Sequence, residues 1–362
     1  METKKALSPI EENNRNALRE SKPRVYEKLQ RFNEKFERGE SIAIIQFQYD
    51  YACNFSCEHC AVAKMERKQR FFTLDDVREL SRQGDELGLA NFVITGGEPL
   101  VFRDLDGLID AIDPSKWYLV MDTNGWLLDH KKAKHLKSKG VDKIQLSLDS
   151  INPEKHNEFR KKDDSYNRVL NAIDASLDAG LNIILSTVAT KHNVRSQDFI
   201  ELLEFAKKKG IGTFVTLAKP VGKWEGNYDA LCSTDDITYI NELGEKYSVF
   251  THLTPAYGLD IGCIAVKRMV SITKYGDVMP CPYIHASIGN FFEEPLGAII
   301  NRGLSSKLFG KHINTCIAAV SKPFIENHMS KAYGRELPIP FNEMFPNEEV
   351  SIQAERQERS EV

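Results

Sequence analysis

Apolar positions divide the chain into two unlike stretches. Between residues 41 and 218, short apolar runs alternate with segments whose apolar residues recur every three or four positions. Runs at 41–49, 90–95, 117–122, 143–148, 182–189 and 212–218 predict strands. The stretches between them, at 73–88, 104–112, 130–139, 164–179 and 196–209, predict helices. Thr73-Leu-Asp-Asp76 reads as the capping-box start of the first. Apolar strands joined by helical crossovers make a parallel sheet covered on both faces. Six such units are too few for a closed eight-unit barrel. The expected class is therefore α/β, an open (β/α)6 TIM-like partial barrel with ligands at the C-terminal ends of its strands.

The flanks read differently. Residues 1–23 are polar and expected to be loose. Val25, Leu29, Phe32 and Phe36 fall at helical spacing, which predicts an amphipathic helix packed on the barrel or, alternatively, offered to a partner. After Pro220 the alternation stops. A loop at 221–227, a helix over Ser233–Tyr247 and a hairpin from Met269–Thr273 through Tyr275-Gly276-Asp277 to Val278–Cys281 are expected. A helix over Lys322–Tyr333 follows, and the acidic tail 346–362 is expected to be disordered. The chain thus divides into an N-terminal segment with its helix (1–40), a partial barrel (41–220), a small α+β region (221–321) and a C-terminal helix and tail (322–362).

Composition changes this picture little. Of 362 residues, 41% are hydrophobic and 28% charged, as in an ordinary soluble domain. A net charge of −4 argues against nucleic acid or an acidic membrane as partner. No apolar run reaches eighteen residues and the N-terminus is charged, so a cytoplasmic location is expected. Seven cysteines, an odd and clustered set, suit metal ligation better than a disulfide framework.

The chemistry concentrates in Tyr51-Ala-Cys-Asn-Phe-Ser-Cys-Glu-His-Cys60, where Cys53, Cys57 and Cys60 are spaced C-x3-C-x2-C. Three thiolates suit an iron–sulfur cluster whose fourth iron stays open. Core-filling cysteines, or a zinc site borrowing a histidine, are the alternatives. Zinc sites usually bring a second ligand pair, and none lies close by. This run resembles the signature of the radical S-adenosylmethionine (radical SAM) enzymes, whose core fold is also a partial barrel. The resemblance implies a [4Fe–4S] cluster whose open iron is chelated by S-adenosylmethionine. It further implies reductive cleavage to a 5′-deoxyadenosyl radical that takes a substrate hydrogen atom, and an electron donor such as flavodoxin or ferredoxin.

Other motifs fall at the expected strand ends. In Thr95-Gly96-Gly97-Glu98-Pro99 the glycines allow close backbone approach to a ligand and Glu98 offers an acceptor for an amine; a plain turn is the alternative. By resemblance this element binds the amino group of S-adenosylmethionine. Thr123 and Asn124 can position cofactor or substrate, or simply form an Asn-Gly turn. Ser147 ends the fourth strand and, by resemblance, contacts the ribose or methionine part. Asp149 does similar work or caps the next segment, and opens Asp149-x6-His156-x3-Arg160. Arg160 is a candidate for the methionine carboxylate, with solvated surface charge as the alternative. His59 stands where the family often has an aromatic residue, which implies backbone contact with adenine; a loop-stabilising role is the alternative. Asn193, past the fifth strand, is a weaker candidate for facing S-adenosylmethionine.

Further on, the strand–turn–Pro-Cys281 pattern followed by Ile288-Gly-Asn290 resembles the Twitch/SPASM extension. That resemblance assigns Cys263, Cys281 and Cys316 to a second, auxiliary 4Fe–4S cluster; three buried small residues are the alternative. The sequence departs from the family here. A full SPASM region has more cysteines, and Ala319 stands where a closing C-x2-C pair would end. The auxiliary site is then open to substrate, or His285, His312 or Cys232 completes it. Cys232 precedes Ser233, a helix cap. This position predicts a lowered thiol pKa and a possible hydrogen-atom donor, against the alternative of an ordinary, partly buried cysteine.

The functional expectation is hydrogen abstraction from a peptide or small metabolite, leading to oxidation or carbon-centred bond formation. A redox-neutral epimerase using Cys232 and a non-enzymatic iron–sulfur electron carrier are the alternatives. Residues 1–40 are too short for the winged-helix peptide-binding domain of many peptide maturases. That favours a small molecule, or a peptide delivered without such a domain.

Overall fold

The computed structural model describes residues 9–65, 68–255 and 259–346. The expected acidic tail lies, but for residue 346, outside them.

Three helices open the chain: α1 (Pro9–Ser21), α2 (Pro23–Gln30) and α3 (Phe32–Glu37). The stretch 9–21, expected to be loose, is thus helical. Its sequence hid this because, among its described side chains, Leu18 alone joins the buried cluster of Val25, Phe32, Ile42 and Ala90. The predicted amphipathic helix is really two, and it packs on the barrel. Lysines fasten these helices to the bottom of the sheet. Lys22 Nζ donates to the carbonyls of Trp117 and Gly140 and pairs with Asp142 at 2.5 Å. Lys28 Nζ donates to the carbonyls of Leu89 and Lys116 and pairs with Asp85 at 2.6 Å. These ammonium groups satisfy carbonyls left over where helices and loops end.

The alternating stretch forms β1 (Ile44–Asp50), α4 (Leu74–Glu86), β2 (Asn91–Gly96), α5 (Leu105–Ile112), β3 (Tyr118–Thr123), α6 (His130–Ser138) and β4 (Lys143–Ser147). It continues through α7 (Pro153–Arg160), α8 (Ser165–Asp178), β5 (Asn182–Ala189), α9 (Gln197–Lys208) and β6 (Gly212–Leu217). Strands β1 to β6 lie parallel in sequence order. The capping box at Thr73 and Asp76 is present.

The sheet does not end with six strands. After α10 (Thr234–Lys246), the two-residue β7 (Val249–Phe250) adds parallel to β6. At the opposite edge β8 (Met269–Ile272) pairs parallel with β1, and β9 (Asp277–Met279) folds back antiparallel as the predicted hairpin. Short strands β10 (Ala286–Ser287) and β11 (Gly289–Asn290) follow. The latter closes the edge, giving the order β11-β9-β8-β1-β2-β3-β4-β5-β6-β7. Helix α11 (Leu296–Ser305) and a C-terminal strand, β12 (Ile339–Pro340), which pairs with β10, complete the architecture.

Strand alternation sorts core from lumen. On β1, Ile45, Phe47 and Tyr49 pack into the core with Val77 and Leu80 of α4, while Gln46, Gln48 and Asp50 line the interior of the barrel. On β4, Ile144 and Leu146 face the core, and Gln145 and Ser147 the lumen. Among the described residues, no helix is long and apolar enough to cross a membrane.

Candidate active site

The lumen opens into a cavity of about 890 Å³ at the C-terminal ends of the strands. Cys53, Cys57, His59 and Cys60 line it, together with Gly96, Gly97, Glu98, Asn124, Ser147 and Arg160. The expected cofactor-side residues therefore share one cavity except Asp149, while Cys232, Cys263, Cys281 and Cys316 lie outside it.

The cysteine loop is held from three sides. Asn124 Nδ2 donates to Asn54 Oδ1 at 2.9 Å, tying the loop to the end of β3. Glu58 N donates to the Phe159 carbonyl of α7 at 3.1 Å. Past β6, Lys223 N donates to the Cys60 carbonyl at 3.0 Å, and its Nζ donates to the Ser56 carbonyl at 2.8 Å. Gly222 lies against Cys60 so closely that a Cβ would overlap the Cys60 carbonyl oxygen. Asn54, Gly222 and Lys223 were not expected from sequence, since their partners lie up to 167 positions away.

The glycines make close contacts within the protein itself. A Cβ on Gly96 would overlap the Asp50 carbonyl oxygen, and one on Gly97 the Ala52 carbonyl oxygen. Gly97 N and Glu98 N donate to those same two carbonyls, at 2.7 and 2.8 Å. The paired glycines thus dock the turn after β2 onto the stem of the cysteine loop. Glu98 is buried, not a surface residue. It accepts from Thr123 Oγ1 at 2.5 Å, Asn124 N at 2.7 Å and Leu100 N at 3.1 Å. Burial pushes its carboxyl up to about 7 against those donors. A carboxylate has about four acceptor positions, so one remains.

Asp149 is likewise a correction. It lies behind the cavity wall, where Arg160 Nε donates to it at 2.6 Å and Val188 N at 3.2 Å. His156 accepts from Asp149 N at 3.2 Å through Nδ1, so the spaced Asp-His-Arg pattern forms one buried unit. Burial opposes the Asp149 charge, but Arg160, His59 and His156 together outweigh it and hold the carboxyl below its usual range. Burial likewise opposes the Arg160 charge, which Asp149 and the Cys57 thiol, 3.9 Å from Nη1, sustain. Arg160 is therefore not a solvated surface charge: it is a fixed cation beside the cysteine loop. The His59 ring stacks on Phe159 with centroids 4.5 Å apart, and burial lowers its pKa to about 3. Its Nδ1 is buried without a partner, as is Gln46 Oε1 in the lumen. Asn193 is used locally, bonding Thr190 N and the Val188 carbonyl.

Cys263, Cys281 and Cys316 meet at a second, small, almost wholly apolar cavity. Among the described residues no carboxylate lines it, and the three thiols are a donor set that suits iron–sulfur. Of the expected fourth ligands, none reaches it. His285 bonds the Pro282 carbonyl and faces another pocket, and His312 is half-exposed beside Asp260. Cys232 is buried with its thiol 3.5 Å from the Ala189 carbonyl, outside both cavities. Burial raises its thiol to about 12, the reverse of the lowering expected from the helix start. A protonated thiol could still give a hydrogen atom, but Cys232 lines neither cavity, which disfavours the epimerase reading. His252, Lys219 and Tyr283, unnoticed in the sequence, line both cavities and form their shared wall.

A family model described as the radical SAM superfamily matches residues 50–206, and one described as an iron–sulfur cluster-binding domain (SPASM) matches residues 263–318. The GTP 3′,8-cyclase of Aliarcobacter butzleri is 32% identical over 271 residues, covering 68% of this chain and 81% of that protein. The chain belongs to the radical SAM superfamily. A radical SAM relative in Nitratidesulfovibrio vulgaris, the AdoMet-dependent heme synthase, is 24% identical over 71% of this chain and 78% of that protein. Against other GTP 3′,8-cyclases the chain spans 50–66% of the relative's length. In fold, the crystal structure of Streptococcus suis SuiB superposes with a TM-score of 0.59 at 19% identity, over 75% of this chain and 69% of that one. The protein is thus a radical SAM enzyme, not an electron carrier. Its family implies a [4Fe–4S] cluster and S-adenosylmethionine, and its SPASM region implies auxiliary iron–sulfur. Among the described residues no three His, Cys, Asp or Glu side chains gather closely enough to hold a single metal ion. Three thiols on the wall of the large cavity beside a fixed cation, and three around the apolar one, are by their donor chemistry suited to a larger iron–sulfur group.

Proposed function

We propose that this radical SAM enzyme abstracts a hydrogen atom from a polar small metabolite or peptide segment held in the barrel lumen. Oxidation or carbon-centred bond formation follows. The observation that carries this is the continuity of one 890 Å³ cavity from the cysteine loop to the wall it shares with the auxiliary cysteines. When bound, the cluster supplies the electron that cleaves S-adenosylmethionine to methionine and the 5′-deoxyadenosyl radical.

In this reading Cys53, Cys57 and Cys60 hold that cluster, and Cys263, Cys281 and Cys316 the auxiliary one. Arg160 offers its remaining N–H groups to the methionine carboxylate, and Glu98 its remaining acceptor position to the amino group. His59, Gly96, Gly97, Asn124 and Ser147 shape the cofactor's side of the cavity, and Asp149 positions Arg160. Residues 41–220 then make the radical and 221–321 serve the auxiliary cluster. A flavodoxin or ferredoxin supplies the electron. The names of the curated relatives, a GTP cyclase and a heme synthase, favour a small metabolite. A precursor peptide bound to the structural neighbour SuiB keeps a peptide in view.

The test is anaerobic incubation of the reconstituted, reduced protein with S-adenosylmethionine, which should release 5′-deoxyadenosine. Its absence from a preparation with verified iron and sulfide would sink the reading.

A further inference from the structure

Other lysines drawn out of water in this fold also spend donors on protein oxygen, Lys35 on the Leu87 carbonyl alone. Lys22 and Lys28 each meet two carbonyls and a carboxylate, and Lys267 Nζ donates to the carbonyls of Phe309 and Lys311 at 2.7 and 2.8 Å. Lys219, just beyond β6, is 5% exposed and stands on the wall of both cavities. Its Nζ donates to one carbonyl, that of Leu217 at 2.6 Å, and lies 4.1 Å from the centroid of the Tyr283 ring. Among the described residues, no carboxylate pairs with it. The other cations on the cavity wall are engaged. Lys274 pairs with Asp50 at 2.8 Å, Arg160 pairs with Asp149, and Lys223 bonds Ser56.

An ammonium carries three donors, and removing it from water is costly unless negative charge faces it. Burial lowers the Lys219 pKa, and the sulfur groups of Cys316, Cys281, Cys232 and Cys263 oppose that lowering without supplying oxygen acceptors. Lys219 uses one donor on protein oxygen and stands where both cavities meet. We propose that Lys219 anchors an anionic group of the substrate, a carboxylate or a phosphate, on the wall between the radical-generating cavity and the auxiliary cysteines. The half-buried Tyr283 ring and His252 flank that point on the wall of both cavities. The anchored end then sits beside the auxiliary site while the rest of the molecule extends toward the cysteine loop. This inference rests on the reading that the 890 Å³ cavity is the reaction chamber.

The test uses the full, cluster-loaded chain with S-adenosylmethionine already bound, titrated calorimetrically with succinate, inorganic phosphate and neutral succinamide. One of the two anions should bind at least about tenfold more tightly than succinamide, and which one does so separates carboxylate from phosphate. Lys219→Met should remove that preference, and Lys219→Arg should keep most of it. Equal binding of all three probes by the wild type, or an unchanged preference in Lys219→Met, overturns the anchor. Anion binding that vanishes once S-adenosylmethionine is present also overturns it, because Lys219 would then serve the cofactor's carboxylate. So does a variant that shifts the auxiliary cluster's reduction potential while keeping its anion affinity. The wild-type comparison stands even if Lys219→Met fails to fold. Release of 5′-deoxyadenosine is measured on the same wild-type preparation. If it is absent, the functional reading itself fails; if it is present without anion preference, only the anchor fails.

Discussion

The two groups of cysteines are built for opposite kinds of access. Cys53 is exposed, and Cys57 and Cys60 are half-buried, on the wall of a roomy cavity with polar walls. Cys263 and Cys281 are 7% and 8% exposed in a small apolar one. The first arrangement admits a large polar cofactor. The second shields whatever it holds and communicates with the lumen through Lys219, Tyr283 and His252. The same contrast shows in the supports: hydrogen bonds from three distant segments brace the first, while packing of the sheet edge encloses the second.

That contrast can be broken most directly by removing each trio. Cys53→Ala with Cys57→Ala and Cys60→Ala should lose one cluster's iron and all 5′-deoxyadenosine formation. The matching Cys263, Cys281 and Cys316 replacement should lose the other cluster and retain cofactor cleavage. Iron and sulfide analysis with chromatography of the nucleoside checks both, and cleavage surviving the first set would erase the distinction. Next in size, Asp149→Ala leaves Arg160 buried and unpaired, at a cost of about 3–5 kcal/mol in denaturant unfolding of the metal-free protein. An equally stable variant would show that the buried unit does not brace the first site.

Asp122 in the lumen sharpens the comparison through pH. Burial raises its carboxyl to about 7, so the folded state keeps a proton that the unfolded chain releases near 3.8. Its contribution is fully present below the unfolded value and is lost as pH rises through 7. Asp122→Asn should therefore gain stability relative to wild type between pH 4 and 8, on the order of 4 kcal/mol. Parallel stability curves would refute the burial effect. The smallest change is expected from Cys232→Ala: unaltered iron content, unaltered 5′-deoxyadenosine and a stability loss of about 1 kcal/mol. Lost turnover in that variant would return Cys232 to the site.

Strands β1 to β6 were legible because each is an apolar run framed by helical spacing. β7 was not, since two residues carry no period. Reading β1 as simply apolar also concealed Gln46, Gln48 and Asp50, although strict alternation marks them as a separate face. The cysteine loop and the turn at Gly96 and Gly97 were visible as motifs, but the glycines' true contacts were not, because Asp50 and Ala52 lie some 45 positions earlier. The wall of Lys219, His252 and Tyr283 left no local trace: its members come from three connections that converge only in the fold.

The placement of β1 has a consequence for biosynthesis. This first strand sits inside the sheet, with β2 on one side and β8 on the other. Its second neighbour begins at Met269, so a nascent chain emerging from the ribosome carries an unpaired, sticky margin for most of translation. Assembly is sealed from the C-terminal side, and the last third of the polypeptide acts as the clasp of the first.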